Sequence, residues 1–126
     1  MTDSKTLNAL TQTLREYADA RDWQQFHSPK NLAMALSVEA SELVEIFQWL
    51  TEEESGKLTS TQRQQTEHEL ADIFLYLLRM ADRLDVDLVD AAKKKILINE
   101  KRYPAEKVRG SSKEYTAYQE DIGSKE

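Results

Sequence analysis

A chain of 126 residues is one domain, long enough to bury a core of its own, and its three glycines and two prolines are too few for a fold built on tight hairpins. Alanine, leucine, glutamate, lysine and glutamine dominate instead, so an all-α fold is expected. The formal charge of −6 argues against a nucleic acid polymer as partner, and the lack of cysteine excludes disulfides, zinc–thiolate centres and cysteine nucleophiles.

The start, Met1-Thr2-Asp3-Ser4-Lys5, lacks the apolar run of a secretory signal. No stretch approaches the ~18 apolar residues of a membrane span. A soluble, cytoplasmic protein without a membrane partner is expected. The first helix is predicted from about Thr6 to Arg21, with Leu7, Leu10, Leu14, Tyr17 and Ala18 returning at helical spacing. Asp22-Trp23-Gln24-Gln25-Phe26-His27 falls outside the periodic pattern and carries two aromatics and a histidine, side chains suited to contact.

Ser28-Pro29 is a helix start, Ser as N-cap and Pro at the first helical position. The second helix is predicted to run to about Leu50, with Leu32, Leu36, Leu43, Ile46, Phe47 and Leu50 on its apolar stripe. Thr51 to Thr61, polar and containing Gly56, reads as a connection with at most one short helical turn. The third helix is predicted from Ser60 or Thr61 to about Leu84, burying Leu70, Ile73, Phe74, Leu77, Leu78 and Ala81. Asp85-Val86-Asp87 supplies a break and a new N-cap, and the fourth helix runs from Leu88 to about Arg102, ahead of Pro104. Residues 1–104 are thus the expected helical domain, and 105–126 a polar, partly mobile tail.

The chemistry-bearing residues sit within the apolar stretches. The second helix carries Glu39-x-x-Glu42 with Glu45 a further turn on, and the third carries Glu69-x-x-Asp72. Carboxylates at i and i+3 share one face of a helix. One such pair alone is more commonly a solvated surface. Here Glu42 and Glu45 flank Leu43-Val44, Asp72 abuts Ile73-Phe74-Leu75, and the two helices are consecutive and expected to pack antiparallel. Oxygen-rich side chains meeting at one point suit Mg²⁺, which takes a few carboxylates, keeps waters and draws on substrate phosphates. Trp49 and Tyr76 share these stripes, seven residues after Glu42 and four after Asp72. On the fourth helix Lys95, Asn99 and Arg102 form one polar, basic edge.

Other phosphate and hydrolase chemistries lack their parts. Gly56, Gly110 and Gly123 are too scattered for a phosphate loop. The residues three before His27 and His68 are Gln24 and Gln65, so there is no Glu-x-x-His pair for a di-iron bundle. No nucleophile elbow serves a serine.

Glu39-x-x-Glu42 followed by Glu69-x-x-Asp72 resembles the MazG-like all-α nucleoside triphosphate pyrophosphatases. The segments Arg21-Asp22-Trp23-Gln24-Gln25-Phe26-His27, Phe47-Gln48-Trp49 and Ile98-Asn99-Glu100-Lys101-Arg102-Tyr103-Pro104 are similar to the dCTP pyrophosphatase branch, over roughly residues 6–118. The resemblance implies Mg²⁺ on Glu39, Glu42, Glu69 and Asp72, and a homo-oligomer, typically a tetramer of two dimers whose sites borrow residues from a neighbour. It also implies a base pocket shaped by Trp23, His27, Trp49 and Tyr76, with Lys95 and Asn99 on the nucleotide. Tyr103, Ser112 and Tyr115 match the branch without an assigned role, and Glu52-Glu53-Glu54 is surface.

The expected reaction is hydrolysis of a nucleoside triphosphate at the α-phosphorus, dCTP or a modified dCTP giving dCMP and pyrophosphate. Glu42 or Glu45 takes a proton, and Lys95 steadies the triphosphate. Two alternatives stay open: the same chemistry on dUTP or damaged triphosphates, and a non-catalytic, cation-binding helical dimerisation module. The residue pattern does not separate them.

Overall fold

The computed structural model describes residues 2–111, where four long helices and two short ones run α1 (Thr2–Ala20), α2 (Pro29–Phe47), α3 (Glu52–Ser55), α4 (Ser60–Arg83), α5 (Leu88–Arg102) and α6 (Ala105–Val108). A 3-10 turn, Gln24–Phe26, precedes α2, and no strand occurs among the described residues. The fold is all-α, as composition requires. Two compact units divide the chain, Met1–Val86 with α1 to α4, and Asp87–Glu126 with α5 and α6.

The starts of α2, α3, α4 and α5 are each set by a side chain that accepts from an otherwise unpaired backbone N–H. Ser28 Oγ accepts from Asn31 N at 3.1 Å, with Pro29 as first helical residue. Thr59 and Gln62 form a reciprocal capping box at the head of α4, as Thr51 and Glu54 do for α3. Asp87 accepts from Asp90 N at 3.0 Å to open α5.

Helices α1 and α4 end alike. Trp23 N donates to Ala18 O at 2.9 Å and Val86 N to Ala81 O at 2.8 Å, each across one left-handed residue, Asp22 (φ 54°) and Asp85 (φ 55°). Aspartate tolerates this conformation better than most residues, but glycine does so without Cβ strain. Asp85→Gly is therefore expected to raise the melting temperature by a few degrees, roughly the effect of 1 kcal/mol in a domain of this size, checked by calorimetry.

Helix α2 stops at Phe47, three residues short of the sequence expectation at Leu50. Thr51 must adopt an extended conformation (ψ 165°) to cap α3, so the chain leaves the helix first and turns at Gln48–Leu50, where Leu50 N donates to Phe47 O at 2.9 Å. Beyond Pro104 the chain makes the single turn α6, and Ser112, Tyr115 and Tyr118 lie outside the described residues.

In the first unit α2 and α1 both pack on α4. Glu39 meets Glu69 and Asp72, while His27, just ahead of α2, meets Arg79, so α2 and α4 run antiparallel as expected. Among the described residues the buried apolar side chains are Ala18, Leu32, Leu78 and Ala81. Burial of the whole α4 stripe does not hold: Leu70, Phe74 and Leu77 stay exposed, with Val38 and Val44 on α2. Two packed helices cover only part of each other's apolar face. In the second unit α5 buries no residue, and Ile96 and Leu97 are 58% and 61% exposed.

Candidate active site

Three of the four predicted metal-ligating acids converge. Glu39 of α2 and Glu69 and Asp72 of α4 each bring a carboxylate oxygen within 4.8 Å of the others. Helical spacing accounts for this, since Glu69 and Asp72 are one turn apart on the α4 face that meets α2. Glu42, half-buried and one turn beyond Glu39, lies beside the trio, and its carboxylate is within hydrogen-bonding reach of Glu39. Glu45, a further turn on, is exposed.

The cluster is electrostatically incomplete. Glu39 Oε2 and Glu69 Oε2 are buried and accept no hydrogen bond from any donor among the described residues. Like charges at this separation repel by about 3.5 kcal/mol per pair at an effective dielectric near 20. Burial first, then contact with Glu42 and Glu69 and the charges of Glu42 and Asp72, pushes the Glu39 carboxyl up to about 7. A proton on Glu39, donated to Glu42 or Glu69, relieves the crowding in the metal-free chain. A divalent cation held there would do the same and would displace that proton.

A pH dependence follows from the direction of the shift. Folding raises Glu39 from 4.5 to about 7, so the folded chain holds a proton that the unfolded chain gives up between those values. The stability from this group is full below the unfolded value and is lost as pH rises through the folded one. The metal-free melting temperature of the wild type is expected to fall between about pH 5 and about pH 8 relative to Glu39→Gln, in which the group does not titrate. Thermal melts of both proteins across that range in a chelating buffer check this; parallel curves contradict it.

Tyr76, half-buried one turn beyond Asp72, belongs to the same surroundings: burial and the charges of Glu39, Asp72 and Glu42 hold its hydroxyl above the usual phenol range. Trp23 lies edge-on to Tyr17 and His27, with ring centroids 5.8 and 6.2 Å apart, and the Arg21 guanidinium sits 3.5 Å from the Tyr17 ring centre. Trp49 departs from the sequence reading. Helix α2 has already ended before it, and it stands 86% exposed in the turn ahead of α3. Lys95, Asn99 and Arg102 lie along α5 in the second unit, all exposed.

One polar cluster centres on a residue outside every motif read from the sequence. Arg79, only 4% exposed, donates to His27 Nδ1, to Asp82 and to Gln24, and Arg15 of α1 reaches the same Asp82 carboxylate with an Nε–Oδ2 distance of 2.9 Å. The available signal was a charged residue inside the run Leu77-Leu78-Arg79-Met80. A cation there must find buried partners.

The MazG-like family profile matches residues 34–117, which includes all four predicted acids. The human dCTP pyrophosphatase 1 is 43% identical over 113 residues, covering 88% of this chain and 66% of that protein, so the chain spans about two thirds of its relative's length. The Bos taurus dCTP pyrophosphatase 1 is 42% identical, with 88% and 67% covered. The crystal structure of a pyrophosphatase from Archaeoglobus fulgidus superposes with a TM-score of 0.72 at 36% identity, covering 82% of this chain and 94% of that one. With its acids gathered between α2 and α4 and these likenesses over most of its length, the chain belongs to the MazG-like family.

Proposed function

We propose that this chain is a Mg²⁺-dependent nucleoside triphosphate pyrophosphohydrolase that converts dCTP, or a modified dCTP, to dCMP and pyrophosphate, a house-cleaning activity on the cytoplasmic nucleotide pool. The observation that carries the reading is the meeting of Glu39, Glu69 and Asp72 with two of their oxygens buried and lacking a donor. The relatives named dCTP pyrophosphatase 1 support the choice of substrate. No helix among the described residues is long and apolar enough to cross a membrane. We assign the hydrolase domain to residues 1–104 and a polar tail to 105–126.

The donor set fits a hard divalent cation, being all carboxylate oxygen with unmet coordination capacity. Glu39, Glu69 and Asp72 would hold Mg²⁺, with Glu42 beside them, and when bound the ion neutralises phosphate charge and lowers the pKa of water. Glu42 or Glu45 accepts the proton of the water that attacks the α-phosphorus; the new P–O bond forms as the bridge to the β-phosphate breaks. Trp23, His27, Trp49 and Tyr76 are assigned to the base. Lys95, Asn99 and Arg102, cationic or amide donors on one edge of α5, are assigned to the nucleotide, with Lys95 steadying the triphosphate.

A homo-oligomer, a tetramer of two dimers, belongs to the same reading. Its support is the unpaired apolar surface: Val38 and Val44 on α2, Leu70 and Phe74 on α4, and Ile96 and Leu97 on α5. Incubation with Mg²⁺ and each nucleoside triphosphate, with products separated by chromatography, tests the function. The reading requires dCMP and pyrophosphate in equal amounts from dCTP. Failure to hydrolyse any triphosphate leaves the dimerisation module, and faster turnover of dUTP reassigns the pocket.

A further inference from the structure

The buried Arg79 has a consequence for recognition of the base. Its Nε–H points at His27 Nδ1 across 3.1 Å, its Nη1 pairs with Asp82 at 3.1 Å, and its Nη2 donates to Gln24, so three elements of its surroundings hold the guanidinium in place. Asp82 is fixed in turn by Arg15, and Gln24 also accepts from Arg83 at 3.5 Å. A guanidinium has only donors. His27 Nδ1 must therefore present its lone pair, and the proton of the neutral ring sits on Nε2.

We propose that Arg79 is a positioning residue that fixes His27 as the Nε2–H tautomer, so that the imidazole offers the base of the substrate a hydrogen-bond donor and no acceptor. This rests on the reading above that His27 faces the base. Burial, and then the positive charges of Arg79 and Arg83, hold His27 below the usual histidine range, which keeps the ring neutral at physiological pH. Arg79 lies seven residues past Asp72 on α4, about 10 Å along the axis, a spacing on the scale of a nucleotide with its phosphates at the acids. Tyr76 stands between them in sequence. A donor-only ring matches N3 of cytosine, which accepts. It opposes N3 of uracil or thymine, which carries a hydrogen. Arg79 thereby becomes a determinant of cytosine preference without touching substrate.

Side-chain nitrogen NMR on the full chain reads the tautomer directly, and with two histidines in the sequence the exposed His68 serves as reference. The expected wild-type spectrum shows His27 protonated on Nε2 alone, and Arg79→Met gives the mixed tautomers of a free imidazole. A wild-type ring protonated on Nδ1, or doubly protonated at neutral pH, overturns the proposal without any variant having to fold and without any activity. In kinetics, Arg79→Met is expected to lower the ratio of kcat/KM for dCTP over dUTP by about 10-fold, chiefly through the KM for dCTP, and Arg79→Lys to restore part of it. A merely structural clamp would lower the melting temperature and leave that ratio unchanged, which likewise overturns the proposal. Absence of all triphosphate hydrolysis in the wild type overturns the functional reading instead, and the NMR result then stands alone.

Discussion

Asp72→Asn and Glu42→Gln are each expected to reduce turnover of dCTP by at least about 100-fold while the helical circular dichroism spectrum stays that of the wild type. Replacing residues that only support a metal ligand already costs about 10–100-fold, so loss of a ligand or of the proton acceptor should cost at least as much. The fold is expected to survive because Asp72→Asn removes charge from a trio of acids crowded within 4.8 Å and Glu42→Gln removes charge beside Glu39. In the metal-free protein either variant should melt no lower than the wild type, and above neutral pH somewhat higher. Undiminished dCMP release from Asp72→Asn, with Mg²⁺ present, contradicts the assignment of the acids.

Leu97→Glu is expected to break the homo-oligomer proposed above. Leu97 is 61% exposed between Ile96 and Ile98, and α5 buries no residue of its own. Covering a leucine of this kind contributes about 2 kcal/mol, and forcing a carboxylate into the same place costs at least as much again. Light scattering after size exclusion should give a smaller species than the wild type, with a melting temperature roughly 10 °C lower. Activity should fall with the assembly if sites are completed by a neighbour. A wild type that is already monomeric, or a variant of unchanged mass, contradicts the oligomeric reading.

Much of the fold is legible because its boundaries are local chemistry. Ser28-Pro29 and Asp87 announce helix starts through the side-chain oxygens that cap them, and both act as caps in the structure. The acidic site is legible for a similar reason: i, i+3 spacing on two successive long helices leaves few ways to avoid a meeting once those helices pack antiparallel. The end of α2 is not legible from α2 itself. Phe47-Gln48-Trp49-Leu50 suits a helix, and the termination is imposed by the cap of the next one at Thr51. Trp49 therefore lies in the exposed turn past the end of α2. The Arg79 cluster draws Gln24, His27, Asp82 and Arg15 from three regions of the chain, and beyond the i, i+3 step from Arg79 to Asp82 no spacing rule links them. The exposed apolar stripe is read correctly as apolar and wrongly as buried, because helical period identifies a face that seeks cover without saying which molecule provides it.

A cation completing the carboxylates between α2 and α4 is tested most directly by uptake of Mn²⁺ followed by electron paramagnetic resonance. The wild type is expected to bind Mn²⁺ in competition with Mg²⁺, more tightly as pH rises through about 7, where Glu39 gives up its proton. The double variant E69Q/D72N should lose that uptake while keeping its helices. Equal Mn²⁺ binding by the two proteins would contradict the account.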